Sequence, residues 1–323
     1  MGIIIRRFAR ARHHQCCRRK YILYWREHLF IVRCRMLCHL TGRRPGAILD
    51  LANYELELED RFEGSVLDRR LWIPYYLPHW SSRAGSAARY AVASGTLRLF
   101  IEHDQELWSP EFADHLRVSS LQTGVFAGPV GSAIGQHRFR EGIIVREEQR
   151  NVALYTPQYG LFELRARALD DPVNMVALWM IGYEDEPTHS AEICICEIFG
   201  RHVGPLQTRV GMGVHPFGDP AITDEFAAET VGIDARGSHT YAAEWTPDNV
   251  AFYVDGWLVK VIRQSPAYPM QFMLSIYEFA DHPRLPSAPD RYPKTFVVER
   301  FRGYRPISGP GARPRAFSAA GAA

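Results

Sequence analysis

The sequence predicts an all-β protein, a sandwich or jelly roll of many short antiparallel strands. Three observations support this. Short runs rich in β-branched and aromatic residues recur from Leu49 onward, with turn residues between them and little helical periodicity. Several of these runs alternate apolar and polar residues, as half-buried strands do. The run VAFYVDGWLVKVI places Asp255 and Gly256 between two such arms, which is typical of a tight β-hairpin.

Size and composition are ordinary for a globular protein with a core of its own. The chain has 323 residues, of which 46% are hydrophobic and 23% are charged. A formal net charge of +2 is too small to indicate a nucleic-acid partner. The sequence contains no run of about 18 apolar residues, so it predicts no membrane-spanning helix.

The chain divides by composition into three parts. Residues 1–48 are rich in Arg and Lys, hold Glu27 as their one acid, and carry four of the six cysteines. We expect a poorly ordered basic leader there and a jelly-roll domain over residues 49–306. Residues 307–323 are too poor in large apolar side chains to pack, so we expect a disordered tail.

The leader does not resemble a secretory signal. Its apolar pieces are interrupted by Arg26, Glu27 and His28, where such a signal needs an unbroken apolar core. Its histidines and cysteines could bind zinc, although their spacing matches no standard zinc finger. The body of the chain holds Cys194 and Cys196, which are too few and too close for a disulfide framework.

Further runs extend the strand pattern along the body. GTLRLFIE and YGLFELRARAL alternate apolar with polar residues, and HTYAAEWTP adds a strand closed by a proline. PMQFMLSIYEF is apolar nearly throughout, as expected of a strand covered on both faces. Residues 104–150 contain scattered Gly and Pro, so they predict long loops and are candidates for the edge of a cleft.

The run AEICICEIFG, residues 191–200, places two acids in a strand that is otherwise apolar. Successive side chains of a strand point to opposite faces, so strict alternation would separate Glu192 from Glu197. A β-bulge around Ile195-Cys196 would add one residue and reset the alternation. Glu192, Cys194 and Glu197 would then share one face of the sheet.

This spacing suits a pair of catalytic carboxyl groups. The two backbone positions are separated by about 13 Å along the strand. Two glutamates that lean together across a concave sheet can bring their carboxyl groups to the separation of about 5–5.5 Å that a retaining glycosidase needs. In such an enzyme one carboxylate attacks the anomeric carbon, and the other carboxyl group protonates the departing oxygen.

Five runs, in order along residues 58–305, carry a resemblance to a known family. EICICE fits a strand of the form Glu-x-Asp-x-x-Glu at both glutamates, and VALWMIG matches the Ala-x-Trp run before it. HTYAAEWTPDNVAFYVDGWLV is similar to a block of that family in which His-x-Tyr, Glu-Trp-Thr-Pro and Tyr-Val-Asp-Gly follow one another. FEGSVLDRRLW and YTPQYGLFELRARA are similar to the opening strand and to the strand before the active-site region. The chain therefore resembles glycoside hydrolase family 16, the laminarinase and lichenase group.

The resemblance implies a concanavalin A-like jelly-roll sandwich of two antiparallel sheets with a concave substrate cleft. It implies a retaining endo-β-glycosidase that hydrolyses a β-linked polysaccharide, with β-1,3- or β-1,3-1,4-glucan expected first. Glu192 would be the nucleophile and Glu197 the acid/base. No catalytic cofactor and no catalytic metal is implied.

Further residues match family positions at or near the cleft. Trp179 matches a tryptophan near the nucleophile, where an aromatic face can stack on a sugar ring, and a core position is its alternative. His215, in GVHPFG, would lie on the next strand, either at the cleft or in a loop. Trp245 and His239 also fit family positions, and cleft and core stay open for Trp245. Glu278 is either a cleft residue or lies where its strand emerges.

Cys194 stands where the family pattern has aspartate. That aspartate is thought to hydrogen-bond the nucleophile and to tune the pair. A thiol is a weak donor and acceptor, and it is neutral at pH 7. Because a third negative charge is missing, the pKa of the acid should be raised less. We therefore expect a pH optimum shifted to lower pH, or a slower enzyme. We expect Cys196 to be a small core residue.

Two other functions stay open on the sequence. One is a non-catalytic carbohydrate-binding jelly roll that lost catalysis with the aspartate, and the other is a transglycosylase that uses the same residues. Retention of both glutamates favours the enzyme. We expect a polysaccharide partner, no nucleic acid, no membrane span and a monomer. A polysaccharide substrate implies secretion, although the leader carries no clear signal.

Overall fold

The computed structural model describes residues 47–279 and 291–311. Most of the expected leader, including its candidate zinc ligands, and most of the expected tail lie outside these residues. The described residues from Ile48 onward belong to one compact unit. No helix within the described ranges is long and apolar enough to cross a membrane.

Short strands are the main regular structure of the described chain. They are β1 (Tyr54–Asp60), β2 (Tyr90–Ala93), β3 (Thr96–Ile101), β4 (Leu116–Gln122), β5 (Gly124–Val125), β6 (Val152–Ala153), β7 (Gly160–Arg167), β8 (Asn174–Gly182), β9 (Glu192–Phe199), β10 (Thr208–His215), β11 (Glu225–Val231), β12 (His239–Trp245), β13 (Val250–Val254), β14 (Trp257–Ile262), β15 (Met270–Phe279) and β16 (Lys294–Pro306). The helical pieces are α1 (Arg83–Ser86) and the 3-10 helices Pro78–Trp80 and Gly200–His202.

Two antiparallel sheets form the sandwich. The first, which we call the outer sheet, has the order β14-β13-β12-β7-β16-β3-β2, and β1 also pairs with β16. The second, which we call the site sheet, has the order β11-β10-β9-β8-β15-β4. Strands β5 and β6 pair separately. This topology confirms the predicted all-β jelly roll of two antiparallel sheets.

The core between the sheets is filled by alternate residues of facing strands. On β12, Tyr241, Ala243 and Trp245 are all buried, and on β9 Ile193 and Cys196 are buried as well. Each large apolar side chain removed from water contributes about 1.5–3 kcal/mol. Cys196 is therefore a core residue, as its place in an apolar run predicted.

The predicted hairpin is present between β13 and β14. Asp255 and Gly256 form its turn with φ angles of 49° and 78°. Two consecutive left-handed residues match the right-handed twist of the flanking strands, which is why Asp-Gly is favoured there.

Glu278 on β15 is a structural acid rather than a cleft residue. Only 1% of its surface is exposed. It accepts hydrogen bonds from Arg117 Nη1 at 2.7 Å and from the Tyr292 hydroxyl at 2.9 and 2.8 Å. A buried carboxylate held by a guanidinium and a phenol needs no ligand to balance its charge.

Candidate active site

Strand β9 changes phase once, at Ile195. Leu178 of β8 lies opposite Cys196, and the next residue, Trp179, lies opposite Cys194. Ile195 is therefore the extra residue of a β-bulge, and β9 shows the same shift against β10. The bulge predicted from the spacing of the two acids is present.

The bulge brings three side chains together on one face. One carboxylate oxygen of Glu192, one of Glu197 and the sulfur of Cys194 all lie within 4.8 Å of one another. Cys194 Sγ donates to Glu192 Oε1 at 3.2 Å and also hydrogen-bonds Glu197. Glu192 is 5% exposed, whereas Glu197 is half-buried. The thiol thus stands between the two carboxyl groups.

Burial raises the pKa of both carboxyl groups. The pKa of Glu192 is raised to about 8, first by burial and then by the charge of Glu197. The pKa of Glu197 is also raised by burial, while the Cys194 thiol and His215 act to lower it. Two close carboxyl groups in a poorly solvated site share one proton over a wide pH range. One group can then attack while the other donates a proton.

Burial acts against the lower pH optimum that the missing aspartate suggested. That expectation considered only the charge at position 194. The hydrogen bond from Cys194 does lower the pKa of Glu192, but burial is the larger cause and raises it. Burial also raises the pKa of Cys194 well above its ordinary value, so the thiol is neutral. The pKa of Glu192 is therefore raised although the third negative charge is missing.

Two residues of β10 beside the pair have no side chain, and Phe226 packs closely over them. Gly211 lies opposite Glu197, and Gly213 lies opposite Cys194. A Cβ on Gly211 would come within 2.5 Å of the Phe226 ring. Glycine is therefore required for this ring to lie across β10 at the edge of the site.

His215 lies at the site, on the strand where it was expected. It is opposite Glu192 in the β9–β10 ladder. Its ring stacks on Phe226 with centroids 4.8 Å apart, and its Nδ1 is 3.2 Å from Asp224 Oδ2. Phe217 meets the His215 ring edge-on at 6.5 Å. These rings form an aromatic wall next to the carboxyl pair.

Trp179 also lies at the site. It is 3% exposed, and it is directly opposite Cys194. Its Nε1 is buried and has no hydrogen-bond partner among the described residues. The His137 ring meets it edge to face with centroids 5.0 Å apart.

Of the two places left open for Trp245, cleft and core, the structure shows the core. Trp245 lies on β12 of the outer sheet and is 1% exposed. Its Nε1 donates to Ser265 Oγ at 2.8 Å and to the Pro266 carbonyl at 3.1 Å, and its ring packs against Tyr159. The side chain belongs to the core because its neighbours satisfy both its apolar surface and its N–H. His239, on the same strand, forms an ion pair with Asp255.

Two residues near the pair were not found from the sequence. His137 Nδ1 lies 3.9 Å from Glu192 Oε2, and the backbone N–H of His137 donates to Glu184 Oε1 at 2.6 Å. Burial raises the pKa of Glu184 to about 8 and lowers that of His137 to about 4. Both residues occupy the left-handed region, with φ of 54° for His137 and 59° for Glu184. No sequence pattern signals this conformation in residues other than glycine.

Aromatic side chains cover the other half of the site sheet. They come from the loops before β4 and after β5, and from β8 and β15. Members of this cluster include Tyr76, Trp80, Trp108, Trp179 and Tyr277. The carboxyl pair therefore lies between this aromatic cluster and the two glycines of β10, Gly211 and Gly213.

A jelly roll with a close carboxyl pair on a bulged strand defines a protein of the glycoside hydrolase class. Residues 153–283 match the model of the family described as Glycosyl hydrolases family 16. A β-glucanase of Bacillus amyloliquefaciens is 30% identical over 135 residues, which are 40% of this chain and 51% of that protein. Over these residues the chain is similar to glycoside hydrolase family 16.

Solved structures extend the likeness over most of the chain. The GlcNAcα1-4Gal-releasing endo-β-galactosidase from Clostridium perfringens is 29% identical with a TM-score of 0.68, covering 81% of this chain and 65% of that one. The catalytic domain of an endo-1,3-β-glucanase from Thermotoga petrophila is 18% identical with a TM-score of 0.56, covering 81% of this chain and 100% of that one. The second likeness shows the fold alone. The chain spans about half of the β-glucanase and about two thirds of the galactosidase.

Proposed function

We propose that the protein is a retaining endo-β-glycosidase that cleaves a β-linked polysaccharide by double displacement. The proposal rests on the proximity of Glu192 and Glu197, which have one carboxylate oxygen each within 4.8 Å. Retaining enzymes hold their two carboxyl groups about 5–5.5 Å apart, whereas inverting enzymes need about 6.5–9.5 Å to admit a water molecule. The short separation therefore supports retention.

The residues take the following roles. Ionised Glu192 attacks the anomeric carbon while the Glu197 carboxyl group gives its proton to the departing glycosidic oxygen. The product of this step is a glycosyl ester on Glu192. Glu197, now a carboxylate, removes a proton from water, which attacks the same carbon and releases Glu192. Cys194 positions Glu192 through its weak hydrogen bond.

A polymer panel tests the activity. Purified protein is incubated with β-1,3-glucan, β-1,3-1,4-glucan and β-galactan, and released reducing ends are measured with Glu192→Gln as control. Proton NMR of the first product then reports its anomeric form, which we expect to be β. An α-anomer as first product would exclude retention, and retardation of a polymer in an affinity gel without cleavage would support a binding module instead.

A galactose-containing polymer is the second candidate substrate beside the glucans. The observation that favours it is the closer likeness to the endo-β-galactosidase, at 29% identity and a TM-score of 0.68. The laminarinase domain reaches only 18% and 0.56 over the same share of the chain. Initial rates on the panel rank the two candidates directly.

A further inference from the structure

Two buried nitrogen atoms lie beside the carboxyl pair without partners among the described residues. They are His137 Nδ1 and Trp179 Nε1. Buried polar atoms are nearly always hydrogen-bonded, so each exception requires an explanation. The two rings touch edge to face, and His137 Nδ1 is 3.9 Å from Glu192 Oε2. His137 Nδ1 is therefore beside Glu192, and the Trp179 ring is in contact with the same histidine.

His137 is held in place by groups on both sides of it. Its backbone N–H donates to Glu184, and the preceding residue, Gln136, donates through Nε2 to the Tyr183 carbonyl at 3.0 Å and to Gln271 Oε1 at 2.6 Å. The left-handed conformation of His137 costs about 1–3 kcal/mol and persists only where the surroundings impose it. Such strain clusters at binding sites, because it aims a side chain.

His137 Nδ1 and Glu192 Oε2 are separated by 3.9 Å. Burial lowers the pKa of His137 to about 4, so its ring is neutral near pH 7 and has one N–H and one acceptor nitrogen. At 3.9 Å the ring does not hydrogen-bond Glu192 Oε2 directly. The separation is one that a single oxygen atom at about 2.8 Å from each, an ordinary hydrogen-bond length, would bridge.

Building on the proposed function, we infer that His137 Nδ1 and Glu192 Oε2 together bind the 2-hydroxyl of the sugar whose bond is cleaved. Glu192 would attack the anomeric carbon with one carboxylate oxygen, so its other oxygen faces the neighbouring carbon, which carries this hydroxyl. Trp179 Nε1, a donor only, would donate to an oxygen of the same sugar. Hydrogen bonds to the 2-hydroxyl strengthen in the transition state, so His137 acts on the rate more than on binding.

Substitutions of His137 separate this role from a packing role. An asparagine amide occupies the place of Nδ1, a glutamine amide the place of Nε2, and leucine is apolar. Asparagine also tolerates the left-handed backbone, so His137→Asn should fold even if the other variants are weakened. His103→Leu, an exposed histidine outside the site, is the matched control. The substrate is the 4-nitrophenyl β-glycoside of the oligosaccharide that the polymer panel identifies, with and without the 2-hydroxyl on the sugar next to nitrophenol.

We expect His137→Leu and His137→Gln to lower kcat about 10- to 100-fold with KM changed less than about threefold, because the interaction forms mainly in the transition state. His137→Asn should retain most of the activity. Removal of the 2-hydroxyl should slow the wild type and His137→Asn about 100-fold, but His137→Leu and His137→Gln less than about tenfold, since these two variants keep only the contact to Glu192.

Equal sensitivity of the wild type and His137→Leu to the missing hydroxyl would overturn the inference, and so would an asparagine variant no better than the glutamine variant. Either result leaves the proposed hydrolysis intact, because the wild type still cleaves the substrate. If the wild type binds the oligosaccharide without cleaving it, only the proposed hydrolysis is wrong. The dissociation constants of the same variants, with and without the 2-hydroxyl, then test the role of His137. Absence of both cleavage and binding would overturn both proposals.

Discussion

Two buried tryptophans, one in each sheet, distinguish the site from the core. Trp179 and Trp245 are 3% and 1% exposed, so burial does not separate them. The N–H of Trp245 is satisfied by Ser265 and Pro266, whereas that of Trp179 has no partner among the described residues. The missing hydrogen bond, rather than the exposed area, distinguishes the tryptophan of the candidate site from the tryptophan of the core.

Two buried glutamates differ in the same way, in whether the protein itself satisfies their polar groups. Glu278 is neutralised by Arg117 and receives a phenolic hydrogen bond from Tyr292. Glu192 has a second carboxyl group, Glu197, and a neutral thiol as its neighbours. The core thus satisfies its polar groups within the protein, while the site keeps an unfavourable charge arrangement that a substrate or a proton must relieve.

The largest expected effect is on activity at the glutamates. Glu192→Gln should lower kcat at least about 10⁴-fold, because the nucleophile is lost. Its melting temperature should not fall, since a buried carboxyl group is replaced by an amide. Glu278→Gln should have the opposite effects. The kcat of the folded protein should stay unchanged, and its free energy of unfolding should fall by about 1–3 kcal/mol, because Arg117 loses its partner. Polymer assays and thermal melts on both variants provide the check.

The tryptophan pair gives the next effect. Trp179→Phe should lower kcat/KM about tenfold with little change in stability, because it removes a donor that the protein leaves unused. Trp245→Phe should leave activity unchanged and lower the free energy of unfolding by about 1–3 kcal/mol, because it leaves two buried acceptors without a donor. Urea unfolding and initial rates measure the two quantities. A similar loss of stability in both variants would remove the distinction drawn above.

The smallest effect concerns pH. Glu192 must be ionised to attack, and its pKa is raised to about 8, so kcat/KM should fall as the pH drops below this value. Cys194→Ala removes a hydrogen bond that lowers the pKa of Glu192, so the acid limb should move to higher pH. Cys194→Asp adds a third carboxyl group beside the pair, and its negative charge should raise the pKa of Glu192 further, so the limb should again move to higher pH. Coincident profiles for all three proteins would show that residue 194 does not tune the pair.

The sequence predicted those features that depend on local periodicity. The alternation of apolar residues gave the strands, and the odd spacing of Glu192 and Glu197 gave the bulge. It left Trp245 open between cleft and core, because alternation assigns a residue to a face of its strand without showing whether that face meets a ligand. For Glu278 it revealed a buried acid but not its cation, which comes from a residue 161 positions away.

His137 and Glu184 could not be predicted for a related reason. They meet across 47 residues, through a backbone hydrogen bond that no residue type specifies. His137 lies in the Gly- and Pro-containing stretch that predicts only loops. The position of this ring results from the packing of the loop on β8 and β15, so it becomes visible only in three dimensions.

Gln136 determines how the protein would meet a polymer. Its side-chain oxygen accepts from the Phe126 N–H at 2.9 Å, its Nε2 reaches Tyr183 and Gln271, and its carbonyl accepts from Trp80 Nε1 at 2.8 Å. The loop that carries His137 is therefore held by these hydrogen bonds without any glycan. Under the proposed function, an entering glycan would lose mainly its own conformational freedom. We expect a branch next to the cleaved bond to slow cleavage, because the loop would have to break several of these bonds to move aside.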